Sequence, residues 1–168
     1  MSIIKNFILI FFLIIFTNQA FAEKIKKIGK FKDWETIVII NDSKLFCFAQ
    51  SKPVLQSPKS NPREARLFVS FRPSEEILDE ISMTAGYEFN TKNSIIAKSG
   101  KHKYKFDIIE EKFAWIDDNK QEKKMIKTMK KGSRIMVSGH NQQGSQTIDH
   151  YSLLGFTKAY SAAKKNCS

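Results

Sequence analysis

Cysteine is scarce in this 168-residue chain: Cys47 and Cys167 are the only two, and they lie far apart. Cysteine metal sites need short-spaced pairs, so that spacing excludes them. Histidine is scarce too. His102, His140 and His150 form no H-E-x-x-H helix signature and no cluster with Asp or Glu. No serine sits in a G-x-S-x-G elbow, Ser145 in "QGSQT" included. Asp149, His150 and Ser152 are close in sequence, but strand neighbours such as Asp149 and His150 point to opposite faces. A nucleophilic triad is also normally assembled from separate segments. "DDNKQEKK" lacks the ligand spacing of a calcium loop. "SGHNQQGSQ" lacks the strand–turn–helix context of a phosphate loop and reads as a hairpin turn. The sequence therefore assigns no catalytic, cofactor-binding or metal-ligating residue. The expectation is a protein that is not an enzyme and uses no cofactor.

Long apolar runs are absent after residue 22, and the run before it is short. Lys5 precedes an apolar stretch from Phe7 to Phe16, then a polar break, then Ala20-Phe21-Ala22. This is the pattern of a secretory signal peptide, with cleavage expected between Ala22 and Glu23. A membrane span needs about 20 apolar residues, so a spanning anchor is not expected. No cysteine follows the break, which argues against a lipid anchor. Residues 23–168 are expected to form one exported domain, long enough to bury a single core. In an oxidising compartment two cysteines read as a disulfide, and Cys47 with Cys167 is the one intramolecular pairing available. Closing a loop of that size contributes about 4–5 kcal/mol in the chain-entropy model.

Charge of one sign dominates. Lys and Arg number 28 against 17 Asp and Glu, and removing Lys5 changes the formal net charge from +11 to +10. Such a chain favours anionic surfaces: acidic lipid head groups, lipopolysaccharide or cell-wall polymers. Export argues against nucleic acid. Only Arg63, Arg66, Arg72 and Arg134 are arginines. Lysine, the rest of the basic set, suits solvated surfaces better than bidentate phosphate recognition. "KHKYKFD" alternates Lys101, Lys103 and Lys105 with His102, Tyr104 and Phe106. This is a half-buried strand whose charged side discourages edge aggregation and could serve as an anion-binding stripe.

Short strand-like runs separated by turn signals fill most of the chain. "WETIVII", "KLFCFAQ", "EARLFVSFRP", "EISMTAGYEF", "EKFAWID", "SRIMVSG" and "QTIDHYSLL" read as strands, and "NSIIAKSG" with "HKYKFDII" as a hairpin through Ser99-Gly100. "KLFCFAQ" is apolar on both sides, with Leu45, Cys47 and Ala49 opposite Phe46 and Phe48, which marks a central strand. Pro73 closes its strand, since proline cannot donate to a ladder. Gly86 suggests a bulge or bend. "EKIKKIGKFKDW" reads as a loose lead-in, the proline-rich "SKPVLQSPKSNP" as a loop, and Glu75, Glu76, Asp79 and Glu80 as a solvated acidic flank. Two stretches change period. Met125, Ile126 and Met129 share a helical face that Gly132 ends, and Phe156, Ala159, Tyr160 and Ala163 share another. About eight or nine short strands and two helices predict an antiparallel β-sandwich, with a small β-barrel enclosing a ligand cavity as the alternative. The 14 phenylalanines lend that alternative a small-ligand or lipid carrier function.

The order of several residues resembles a known family. Trp34 opens the domain, Cys47 follows on the next strand, and Arg72-Pro73 ends a third ahead of Gly86-Tyr87. Ala114-Trp115 comes next, and the chain closes on Tyr151, Gly155, Phe156 and Cys167 in "DHYSLLGFTKAYSAAKKNC". Over roughly residues 30 to 167 the sequence is similar to the invasion-associated locus B family, exported proteins of alphaproteobacteria. The resemblance implies an immunoglobulin-like β-sandwich in the periplasm or cell envelope of a Gram-negative bacterium. It also implies an association with host-cell invasion and supplies no catalytic residue. Together these readings point to an exported envelope interaction module whose partner is an envelope protein or an anionic envelope polymer.

Overall fold

The computed structural model describes residues 23–42 and 44–168, so the expected signal peptide, residues 1–22, lies outside the described residues. Among the described residues, twelve strands form two antiparallel sheets. The larger runs β1 (Lys24–Phe31), β2 (Trp34–Asn41), β3 (Lys44–Ser51), β5 (Arg66–Arg72), β6 (Ile77–Thr84), β10 (Phe113–Trp115) and β9 (Ile108–Glu110), in that spatial order. The smaller runs β4 (Leu55–Ser57), β12 (Gln146–Ser152), β11 (Arg134–His140), β7 (Ile95–Ser99) and β8 (His102–Phe106). Helix α1 (Asn119–Lys131) lies between β10 and β11 in sequence, and α2 (Phe156–Asn166) closes the chain. Neither sheet closes on itself, so the molecule is the expected sandwich rather than the barrel.

Three predicted boundaries change, each because long-range pairing overrides local pattern. The lysine-rich lead-in is β1, paired along β2 from Lys24↔Ile40 to Phe31↔Trp34 with an irregularity between Lys27 and Gly29. Lysines suit this position, because an edge strand exposes one row of backbone groups and charge there deters further pairing. The proline-rich loop contains β4, which pairs with β12. "HKYKFDII" divides at Asp107: β8 joins the smaller sheet, β9 the larger. Gly86 lies just beyond the end of β6, where it forms the bend, not the bulge, of the two expected alternatives. It has φ +80, and a Cβ there would come within 2.9 Å of the Glu64 backbone nitrogen.

The helices follow their sequence periods. Asp118 caps α1 by accepting from the Lys120 N–H at 2.7 Å, and Met125, Ile126 and Met129 are buried. Phe156, Ala159, Tyr160 and Ala163 are buried on α2, which lies over β2 and β3. Its alanines let the helix come close enough for Thr36 Oγ1 to donate to the Ala159 carbonyl at 2.9 Å. Inner-face residues of both sheets and both helices form one core, which includes Val69, Phe71, Ile81, Phe106 and Val137.

Candidate interaction surface

The residues of the C-terminal signature meet in one place. Trp34 at the start of β2 is buried, donates Nε1–H to the Ser152 carbonyl at 2.8 Å, and packs edge-on against Phe156 at 4.8 Å. Tyr151 and Leu153 face the core as their strand period requires. Gly155 turns the chain from β12 into α2 with φ +89, and a Cβ there would sit 1.7 Å from the Phe31 carbonyl oxygen. Cys47 on β3 and Cys167 at the end of α2 are disulfide-bonded, 120 residues apart and both buried. This region is a structural clasp over the inner face of the larger sheet.

The other singled-out residues have separate tasks. Arg72 makes a two-pronged ion pair with Glu80 at 3.0 and 2.7 Å and a further one with Glu75 at 2.8 Å. Asp79 accepts from the Tyr160 hydroxyl at 2.6 Å. The acidic run is thus partly built into β6 instead of flanking it in solvent. Pro73 starts a single turn of 3-10 helix. Tyr87 shares a 2.6 Å hydrogen bond with Thr147. Asp149 and His150 do point to opposite sides. Asp149 is buried, ion-paired with Arg63 and hydrogen-bonded by Gln56 at 3.1 Å. Burial raises its pKa, opposed by the Arg63 charge and the two hydrogen bonds. Among the described residues, no three His, Cys, Asp or Glu side chains gather in a way that could hold a metal ion.

What the strand-by-strand reading missed is the outer face of the larger sheet. An antiparallel sheet of this kind commonly presents polar side chains to solvent on one face. Here the second face is aromatic. Register places Ile39 opposite Phe46 and Ile37 opposite Phe48. Ring centroids then continue from Phe46 to Phe48 at 5.1 Å, to Phe68 at 5.9 Å, to Phe113 at 6.4 Å and to Trp115 at 5.8 Å. Ile25 on β1, opposite Ile39, and Ile108 on β9, opposite Trp115, extend this surface to both sheet edges. Ile25, Ile108 and Phe113 are exposed by 65%, 46% and 42%. The signal was present in "KLFCFAQ", whose two apolar sides suit a strand covered on both faces.

Several charges around this face are paired. Lys27 pairs with Glu35 at 2.6 Å, Gln50 donates to the same carboxylate at 2.8 Å, and Arg66 pairs with Glu64 at 3.1 Å. The Lys27 hydrogen bond holds the Glu35 carboxyl below its usual range. Arg72 lies 5.5 Å from the Phe46 ring centre while bound to Glu80. The face is thus an aromatic centre with a polar rim in which several charges are paired.

Fold and surface together define a class: a disulfide-clasped β-sandwich with one face sealed by a helix and the other open and aromatic. The chain belongs to the invasion associated locus B (IalB) family, whose model matches residues 41–164, well over half of its length. Trp34 and Cys167 lie just outside the matched stretch. No curated protein and no solved structure matches the chain. Family and disulfide are both consistent with an exported protein. Among the described residues, no helix is long and apolar enough to cross a membrane.

Proposed function

We propose that this protein is an exported, non-catalytic binding module of the cell envelope that docks another envelope protein on the outer face of its larger sheet. The observation that carries this reading is the aromatic row from Phe46 to Trp115. Aromatic side chains supply large contact area at low conformational cost and dominate binding energy where they cluster. Aromatic area rather than a cluster of like charges dominates this face, which suits an apolar protein surface. The IalB family match and the Cys47–Cys167 bond support export, with the leader removed between Ala22 and Glu23. Packing also favours surface recognition over ligand carriage. The interior is filled by side chains such as Phe71, Phe106, Met125 and Phe156, and the main clefts open to solvent.

The test is site-specific photo-crosslinking in intact cells, with the photoreactive residue at Phe113 and, as control, at Lys59. The expected result is one adduct of discrete mass from Phe113, none from Lys59, and loss of the adduct when Phe68 is changed to Ser. An adduct of twice the protein's own mass would replace the envelope partner with a second copy. No adduct from Phe113, or equal adducts from both positions, would overturn the reading.

A further inference from the structure

Most arginines are consumed internally: Arg63 binds Asp149, Arg66 binds Glu64, and Arg72 binds Glu75 and Glu80. The excess positive charge therefore lies elsewhere, and part of it converges. A groove of about 1190 Å³ runs between the β7–β8 hairpin and α1, lined by Lys103, Lys124, Lys127, Lys131 and Arg134 with Asp118 as its single carboxylate. None of these five cations has an ion-pair partner among the described residues. The wall beneath them is fixed. The buried Tyr104 of β8 shares a 2.7 Å hydrogen bond with Thr128 of α1, and Ser99 donates to the Arg134 carbonyl at 2.9 Å.

Helix formation does not explain this arrangement. α1 carries six lysines and one glutamate, and the glutamate, Glu122, is turned inward to the Ile81 N–H. Lysines in the last turn complement the helix dipole, which accounts for Lys130 and Lys131. It does not account for Lys124, Lys127 or Lys103. Like charges three and four positions apart destabilise an isolated helix. The groove thus concentrates repulsion that an anion would relieve.

We propose that this groove binds a soluble chain of linked phosphates, at a site separate from the aromatic face and independent of it. Lys124 and Lys131 are two helical turns apart, about 10 Å along the axis. A single phosphate meets one or two of the five cations, whereas a chain meets several. Lysine ammoniums suit phosphate as point charges without a fixed bidentate geometry. None of the large exposed apolar side chains lines the groove, which leaves a bilayer nothing to hold beyond its headgroups.

The test measures binding of tripolyphosphate, inorganic phosphate and phosphatidylglycerol vesicles to the protein lacking residues 1–22, by calorimetry and thermal melting. Tripolyphosphate is expected to bind at least tenfold more tightly than phosphate, to raise the melting temperature, and to weaken with salt. The triple variant Lys103→Gln, Lys124→Gln, Lys127→Gln is expected to lose at least tenfold in affinity while melting no lower than the parent at low salt. Lys44→Gln with Lys59→Gln, both away from the groove, should change affinity less than twofold. Equal losses in the two variants would reduce the effect to net charge and overturn the site. Vesicle binding stronger than tripolyphosphate binding would overturn the soluble ligand in favour of a membrane surface.

Discussion

On β3, Cys47 and Ala49 point to one side of the larger sheet and Phe46 and Phe48 to the other. The same alternation produces two apolar faces with different surroundings. The inner face is covered by α2, tied down by the disulfide, and closed by Trp34 and Phe156. The outer face has equally large side chains, yet part of its area stays in water at Phe113, Ile108 and Ile25. Hydrophobicity is shared; cover is what differs. A covered aromatic contributes to folding through the area it removes from water. A partly exposed one keeps some of that free energy for association.

The largest effect expected on the covered side comes from Gly155→Ala. The new Cβ would overlap the Phe31 carbonyl oxygen, in a backbone conformation that already disfavours side chains. A loss of about 4 kcal/mol or more, or failure to accumulate folded protein, is expected in denaturant unfolding. A loss under about 1 kcal/mol would mean the β12–α2 turn is not held against β1 as described.

The two faces can then be compared directly. Phe71 is 1% exposed and packs edge-on against Tyr160 at 5.6 Å. Phe71→Ala should cost about 3–5 kcal/mol, as large-to-small core changes do. Phe113→Ala, from the outer face, should cost about 1 kcal/mol or less. Equal destabilisation by both would erase the distinction between the faces.

A smaller, pH-dependent effect sits at the seam between α1 and the larger sheet. β10 pairs with β6 only as far as Trp115↔Ser82, and Glu122 accepts the next donor, the Ile81 N–H, at 2.7 Å. Burial, reinforced by Glu80, Asp79 and Asp118, raises the Glu122 pKa from 4.5 to about 7, against the Ile81 hydrogen bond. The folded state therefore binds a proton more tightly than the unfolded chain. This contribution is fully present below about pH 4.5 and is lost as pH rises through about 7, costing on the order of 2–3 kcal/mol. Glu122→Gln keeps an acceptor for Ile81 and removes the titration. It should flatten the fall in stability between those pH values and leave the variant more stable than the parent at pH 8, as measured by melting at each pH. An unchanged slope would place the titration on another group.

Much of the fold was legible locally. Both helices and their buried residues follow from a 3.6-residue period, and the β7–β8 hairpin from Ser99-Gly100. Two cysteines leave one intramolecular pairing. The less legible parts were edges and seams. β1 looked like a loop because its lysines are tolerated where only one side is paired. β4 was hidden among prolines, and Asp107 gave no sign that the chain leaves one sheet for the other. Residues in the acidic run carry the same charge in any register, so their roles toward Arg72 and Tyr160 had no local signature.

By itself, the sequence determined both helices, most of the strands, the family and the single disulfide available. These depend on side-chain period, residue order and the number of cysteines, all of which are properties of the chain as written. Only the tertiary structure decided that Phe46, Phe68 and Phe113 would share one face, and that Lys103 would face the lysines of α1. Those neighbours are 20 or more positions apart, and what joins them is strand register and helix docking. Register is set by the packing of the whole core, so no local window contains it.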